Sequence, residues 1–248
     1  MLLAAASIRG GLRMWWRCTT LAQTLGRSAP PLPQGRAFLG AATVAGKLYV
    51  VGGRNGAEIF SSLEEYDPTT NTWRSRADMP DTRYSFGTAA AGGRIYVIGG
   101  QSIDPGPCPC RGWEIVNSLL EYDPVRDRWD TMTPMADPRW RLAAVGVGPN
   151  VYAIGGWSPE LDTLHDRVEA YDFARGEWAM KRAMPTPRGG LAVAARGGRI
   201  YAVGGRDGLQ LLDVAEVYDT GLPFPVNDHG KAPAAWAQLK GAYNERSF

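Results

Sequence analysis

The apolar positions of this 248-residue chain gather into short β-like runs that are cut off by glycine. Leu48–Val51, Ile95–Ile98, Val151–Ile154 and Ile200–Val203 are each wholly apolar or aromatic. Each is followed at once by a glycine pair: Gly52-Gly53, Gly99-Gly100, Gly155-Gly156 and Gly204-Gly205. A short apolar run bounded by turn signals reads as a buried strand. Its recurrence at steps of 47, 56 and 49 residues makes it part of a repeat unit.

The unit has further fixed positions. An arginine stands sixteen residues before each pair, at Arg36, Arg83, Arg139 and Arg188, and a tyrosine three residues before it, at Tyr49, Tyr96, Tyr152 and Tyr201. Downstream come Tyr66-Asp67, Tyr122-Asp123, Tyr171-Asp172 and Tyr218-Asp219, each followed by a tryptophan. Trp73, Trp129 and Trp178 lie seven residues after their tyrosine, whereas Trp236 lies eighteen after Tyr218, so "TGLPFPVNDHGKAPAA" reads as an inserted loop. "YDPTTNTW" and "YDPVRDRW" place polar turn residues between aromatic strand residues, as hairpins require.

Each unit therefore predicts four short strands: one after the arginine, a second ending at Gly-Gly, a third ending at Tyr-Asp and a fourth beginning near Trp. Glycines at a strand end permit positive φ or the close approach of a neighbouring sheet. Tyr and Trp supply flat surface to fill the space between stacked sheets.

Arginine, Gly-Gly, Tyr-Asp and Trp in this order resemble the kelch repeat, over roughly Arg36 to Trp236. The resemblance implies an all-β, kelch-type β-propeller with four recognisable four-stranded blades, about 36–82, 83–138, 139–187 and 188–240. Residues 1–35 would be a leader, disordered or targeting, and 241–248 a tail. Kelch propellers usually have six or seven blades, so four implies a shortened or fragmentary form, a tight four-bladed ring, or an open edge covered by another chain.

Composition narrows the function classes. With 27 basic and 25 acidic residues the chain is too balanced for a nucleic-acid coat. Cys18, Cys108 and Cys110 are an odd number with unsuitable spacing for a disulfide framework or zinc site, which points to a reducing, cytoplasmic setting. No apolar stretch approaches a membrane span, because Arg9 interrupts the opening "MLLAAASI". The first 57 residues hold no acid, and Arg9, Arg13, Arg17 and Arg27 punctuate the start, a pattern shared with organelle transit peptides. The competing reading is an unstructured leader or the remnant of a strand, since "MWWRCTTLA" is β-prone.

Residues repeated once per unit are assigned to the scaffold: the four arginines, the four glycine pairs and Trp73, Trp129, Trp178 and Trp236. Glu64, Glu121, Glu169 and Glu216, just before each Tyr-Asp, are read the same way. No phosphate-binding glycine loop or nucleophile elbow is present, and His165 and His229 fall in loop-like segments where solvation is the expectation. No catalytic residue, metal or cofactor is assigned. Family resemblance also covers enzymes, including sialic-acid mutarotases and a copper oxidase, so a small sugar-modifying enzyme with a site in the axial channel is the alternative, as is a fragment without independent activity. A copper ligand set cannot be assembled.

In kelch propellers that bind peptides, the contacting face uses the loop after Gly-Gly and the residues after the repeated arginine. Here these are Arg54 and Asn55, Gln101 and Ser102, Trp157 and Ser158, and Arg206 and Asp207, with Phe38, Tyr84, Ser85, Trp140 and Arg141. Arginine forks suit carboxylates, and aromatic rings supply rigid contact area. The expectation is a protein-interaction scaffold whose propeller face holds a partner protein or short acidic peptide, with no nucleic-acid or membrane partner and with oligomerisation through an open edge. Trp113, in the long segment after Gly100, is the reserve candidate, either as a binding residue or packed back onto its own blade.

Overall fold

The computed structural model describes residues 29–103, 113–158, 162–222 and 236–238. Most of the expected leader, the three cysteines, His229 and the 241–248 tail lie outside the described residues. Among the described residues every regular element is a strand.

Four antiparallel four-stranded sheets stand in chain order. Blade one comprises Gly40–Val44, Lys47–Val51, Leu63–Asp67 and Thr72–Arg76; blade two Gly87–Ala91, Arg94–Ile98, Leu119–Asp123 and Arg128–Met132. Blade three comprises Ala143–Val147, Asn150–Ile154, Val168–Asp172 and Glu177–Lys181; blade four Ala192–Arg196, Arg199–Val203, Ala215–Asp219 and Trp236–Gln238. Within each sheet the strands lie in sequence order, from the inner first strand to the outer fourth. The first strand begins four residues after the repeated arginine, the second stops at Gly-Gly and the third ends on Tyr-Asp. Register pairs each Tyr with its Trp, as in Tyr66 opposite Trp73 and Tyr122 opposite Trp129.

The loops expected after Gly-Gly are small ribbons instead. Arg54–Asn55 pairs with Glu58–Ile59, Gln101–Ile103 with Trp113–Ile115, Trp157–Ser158 with Thr163–Leu164, and Arg206–Asp207 with Gln210–Leu211. The glycine pair ends the second strand, as expected, and turns the chain with φ of 56° and 92° at Gly52 and Gly53. The chain then resumes pairing along a new line.

Alternation along each strand sends one set of side chains toward the preceding blade and the other toward the following blade. Ala42, Tyr49, Val51 and Leu63 of blade one meet Ile95, Val97 and Leu120 of blade two in one core. Ala89, Tyr96, Ile98 and Leu119 of blade two meet Val151 and Ala153 of blade three in a second. Tyr152, Ile154, Val168 and Ala170 of blade three meet Ile200 and Ala202 of blade four in a third. The inner strands touch in the same sequence, one to two, two to three and three to four, and among the described residues no comparable contact joins blade four to blade one. The described blades form an arc with an open sector.

Candidate functional site

The repeated arginines form the scaffold beneath the candidate face. Each guanidinium donates to the carbonyl of the first glycine of its own pair: Arg36 to Gly52 at 3.1 Å, Arg83 to Gly99 at 3.2 Å, Arg139 to Gly155 at 3.0 Å and Arg188 to Gly204 at 3.1 Å. This bond requires the constant spacing of sixteen residues. The arginine's own carbonyl accepts from the second glycine of the preceding blade: Gly53 N to Arg83 O at 2.9 Å, Gly100 N to Arg139 O at 2.8 Å and Gly156 N to Arg188 O at 2.9 Å. A Cβ on Gly99 would lie 2.5 Å from the Arg139 carbonyl, so the pair is needed for the close approach of two blades as well as for its positive φ.

Arg83, Arg139 and Arg188 are fully buried and neutralised in two ways. Arg139 meets Glu169 at 2.6 Å and Arg188 meets Glu216 at 2.7 Å. Blade two has Leu120 in that register, and Arg83 pairs with Asp81 from its own approach segment instead. Glu121, grouped by sequence with Glu64, Glu169 and Glu216, occupies the neighbouring register and pairs with Arg94 at 3.1 Å. One residue of slip in a strand changes the face.

Two residues after each arginine the backbone is left-handed: Phe38 (φ 56°), Ser85 (54°), Arg141 (55°) and Gly190 (67°). These residues link successive blades, since Ser85 N donates to Phe38 O at 3.0 Å, Arg141 N to Ser85 O at 2.7 Å and Gly190 N to Arg141 O at 2.7 Å. The residue just after the arginine bridges the residue just after Gly-Gly, as Ala37 with Arg54, Tyr84 with Gln101, Trp140 with Trp157 and Gly189 with Arg206. The two sequence sets named for the binding face are therefore one structural unit in every blade.

Their side chains build a continuous aromatic path with cations against it. Tyr84 lies 6.2 Å from Phe38 and 6.5 Å from Trp140, and Trp140 lies 5.9 Å from Trp157, as ring centroids. Trp113 packs edge-on against Tyr84 at 5.8 Å, so it returns to its own blade while staying 53% exposed. The Arg54 guanidinium sits 5.1 Å over the Tyr84 ring and that of Arg141 4.2 Å over the Trp140 ring. Tyr84 donates its hydroxyl proton to Gln101 Oε1. Asn55 and Asp207 are exposed at the ribbon tips, and Ser85 is half-buried at the mouth.

Two clefts open beside this path. One of about 440 Å³ between blades three and four is lined by Trp140, Arg141, Trp157, Thr163, Leu164 and Arg206, among others. Trp140 Nε1 and Arg206 Nε are buried there without a hydrogen-bond partner among the described residues. The second, about 550 Å³, is the mouth of the axis, with Phe38, Ser85, Arg141, Gly190 and Leu211 on its rim. Deeper along the axis the walls are Ala41, Thr43, Thr88, Ala90, Ala144, Gly146 and Ala195 with their neighbours, and they carry neither carboxylate nor arginine.

His165 departs from its expected solvated position: it is buried, and its Nε2 has no partner among the described residues. Burial and the Arg139 charge depress its pKa, against an opposing contribution from Asp166. It stands six residues before Tyr171, where the other blades have Phe60, Val116 and Leu212. In blade one Phe60 lies 4.4 Å under the Arg36 guanidinium. The constant distance to the Tyr-Asp pair was the available signal, and the unequal ribbon lengths after Gly-Gly obscured it.

Comparison with known proteins agrees with this geometry. Kelch-like protein 26 of Danio rerio is 27% identical over 136 residues, 55% of this chain and 21% of that protein. Kelch-like protein 36 of Rattus norvegicus is 30% identical over 123 residues (50% and 19%), and Kelch-like protein 33 of Homo sapiens 30% over 140 residues (52% and 25%). The chain thus spans about a fifth to a quarter of the length of the curated relatives it matches. The solved structure of YjhT superposes with a TM-score of 0.70 at 15% identity, over 86% of this chain and 68% of that one, which supports a propeller fold. The Kelch motif matches residues 35–80, 82–136, 138–185 and 187–221, so that each match carries one repeated arginine and one glycine pair; the chain belongs to the Kelch motif family.

Proposed function

We propose that this protein is an interaction scaffold that holds an acidic segment of a protein partner across the face made by the post-glycine ribbons. The observation that carries the reading is the aromatic path Phe38–Tyr84–Trp140–Trp157, with Arg54 and Arg141 stacked on it and Arg206 in the adjoining cleft. A guanidinium on an aromatic face keeps its outer N–H groups available while its rotamers are already restricted, which lowers the entropy cost of gripping a carboxylate. The broad, shallow shape favours a peptide over a small substrate, and the small apolar walls of the axis offer no acid–base pair for sugar chemistry.

The test is titration of labelled peptides rich in Asp and Glu, with their amide counterparts rich in Asn and Gln, against the full chain and Arg54→Ala/Arg206→Ala. Each lost charge-assisted contact should cost about 1.5–3 kcal/mol of binding. The double variant should keep its unfolding midpoint, bind acidic peptides at least tenfold more weakly and show a flatter salt dependence. Equal affinity for acidic and amide peptides would overturn the charge reading, and unchanged affinity in the double variant would move the site elsewhere.

A further inference from the structure

Blade four lacks a side chain that blades two and three carry where successive blades meet under the ribbons. Tyr84 and Trp140, the residues just after Arg83 and Arg139, are rings; the counterpart after Arg188 is Gly189. The Tyr84 ring is buried within an enclosure of its neighbours. Phe38 and Trp140 pack on it at 6.2 and 6.5 Å, the Arg54 guanidinium covers it at 5.1 Å, Trp113 meets it edge-on at 5.8 Å, and Gln101 accepts its hydroxyl proton.

Around Gly189 the same walls stand without the ring. Arg141 holds the place of Phe38, Trp157 that of Arg54 and Arg206 that of Gln101, and all three line the cleft of about 440 Å³ between blades three and four, with Gly189 itself. The backbone is built as for a ring: Gly189 N donates to Arg206 O at 3.1 Å and Arg206 N to Gly189 O at 3.0 Å, the same pairing that Tyr84 makes with Gln101. Gly189 has no left-handed φ that would demand glycine. A Cβ there would lie 3.2 Å from Leu164 Cδ2 and 3.6 Å from Arg141 Cβ, both cleft residues, so a side chain at this position would enter the cleft.

We propose that this cleft receives a tyrosine side chain of the partner's acidic segment, whose ring takes the place of the one missing at Gly189. The choice of occupant rests on charge. Arg141 and Arg206 offer cations to the electron-rich face of a ring, as Arg54 does to Tyr84. In blade two Gln101 accepts from the Tyr84 hydroxyl, whereas Arg206 in its place can only donate, so the occupant has to bring an acceptor, and a phenol oxygen supplies one at the end of the ring. Asp162 on the cleft lining opposes a doubly charged group such as phosphate. Tyrosine also brings this rigid contact area at a low cost in side-chain entropy. The inference rests on the ribbon face being the one that holds the partner.

The test is titration of labelled peptides of Asp and Glu, with a central tyrosine, alanine or phosphotyrosine, against the full chain, Gly189→Tyr and Trp157→Ala. The parent should bind the tyrosine peptide about tenfold more tightly than the alanine one, the factor expected of an aromatic contact with a cation over the ring. Gly189→Tyr copies Tyr84 and fills the cleft from within, so it should keep the unfolding midpoint and the alanine peptide's affinity and lose the preference for tyrosine. Trp157→Ala removes a wall without touching Gly189 and should reduce the same ratio, which provides the answer if Gly189→Tyr does not fold. Equal binding of the tyrosine and alanine peptides by the parent overturns the proposal while the acidic face stands; binding of neither removes the face and this inference with it. A preference undiminished in either folded variant places the ring elsewhere, and a phosphotyrosine peptide bound about tenfold more tightly than the tyrosine one makes the cleft an anion site. Either result overturns the proposal.

Discussion

Replacing Arg139 by methionine separates what the buried arginines do for blade three from what they do for blade two. Arg139 is fully buried; it donates to Gly155 O and to Met135 Sδ and faces Glu169, itself 2% exposed at the side chain. Its burial pushes the guanidinium below the usual arginine range while Glu169 acts in the opposite direction, so both charges are held in place by each other. Arg139→Met strands a buried carboxylate and a buried carbonyl, and breaking a buried pair in this way costs about 3–5 kcal/mol. Arg83→Met strands Asp81, which is 27% exposed and able to rehydrate, so the loss should be about 1–3 kcal/mol, set mainly by the unpaired Gly99 carbonyl and Ser118 hydroxyl.

Adding Glu169→Leu to Arg139→Met copies the residue that blade two already has there, Leu120, and removes the stranded charge. The double variant should regain about 2 kcal/mol and keep only the cost of the unpaired Gly155 carbonyl, about 1–3 kcal/mol. The assay is urea unfolding followed by tryptophan fluorescence and circular dichroism, compared at constant slope and only where the two probes coincide, since stacked repeats can unfold in parts. If Arg83→Met costs as much as Arg139→Met, or if the double variant is no more stable than the single one, the charge-stranding argument fails.

His165→Phe, which copies Phe60, should raise the melting temperature, because it removes a buried nitrogen without a partner, worth about 1–3 kcal/mol. The sign of the pH effect follows from the depressed pKa of the folded state: the unfolded histidine protonates first as pH falls through 6.5, so stability declines from that point to the folded pKa, and His165→Phe should flatten the slope between pH 7 and 5. An unchanged slope in thermal melts would assign the decline to other groups. Trp129 packs tilted against Tyr122 at 5.0 Å and donates from its indole to Ala77 O at 2.8 Å, tying blade two to the segment after blade one; Trp129→Ala should cost about 2–4 kcal/mol. Trp157 is half-buried on its ribbon with its ring edge-on to Trp140, so Trp157→Ala should cost less, about 1–2 kcal/mol, and equal losses in chemical denaturation would erase the distinction between scaffold and face.

The repeat was legible in one dimension because its main bonds have constant sequence separation: sixteen residues from Arg139 to Gly155, seven from Tyr122 to Trp129. Glu121 is set apart by the same kind of count, since it stands one residue before its tyrosine whereas Glu64, Glu169 and Glu216 stand two before theirs, and in a strand that single step turns it from the face toward the buried arginine to the face toward Arg94. The ribbons after Gly-Gly were read as loops because Arg54–Asn55 and Trp157–Ser158 are two residues long, too short for any periodicity, and their pairing depends on Ala37 and Trp140 some seventeen residues upstream. Four units were countable from the sequence, but the uncovered faces of blades one and four became apparent only from the exposure of Val203 beside the burial of Ile154.

The left-handed residues at the mouth separate what the scaffold requires from what the face adds. Gly190 has the same backbone conformation as Phe38, Ser85 and Arg141 and donates the same interblade hydrogen bond as Ser85 and Arg141, so glycine satisfies the geometry without strain. A side chain at each of the other three positions costs about 1–2 kcal/mol in steric conflict with its own backbone. The interblade bond does not offset this difference, because glycine makes it equally well. What the three side chains do make is the face itself: Phe38 packs against Tyr84 while remaining 60% exposed, Arg141 lies on Trp140, and Ser85 lines the axial mouth. Strain held at positions where a strain-free residue would serve the fold is a physical reason, independent of any family resemblance, to place the interaction surface there.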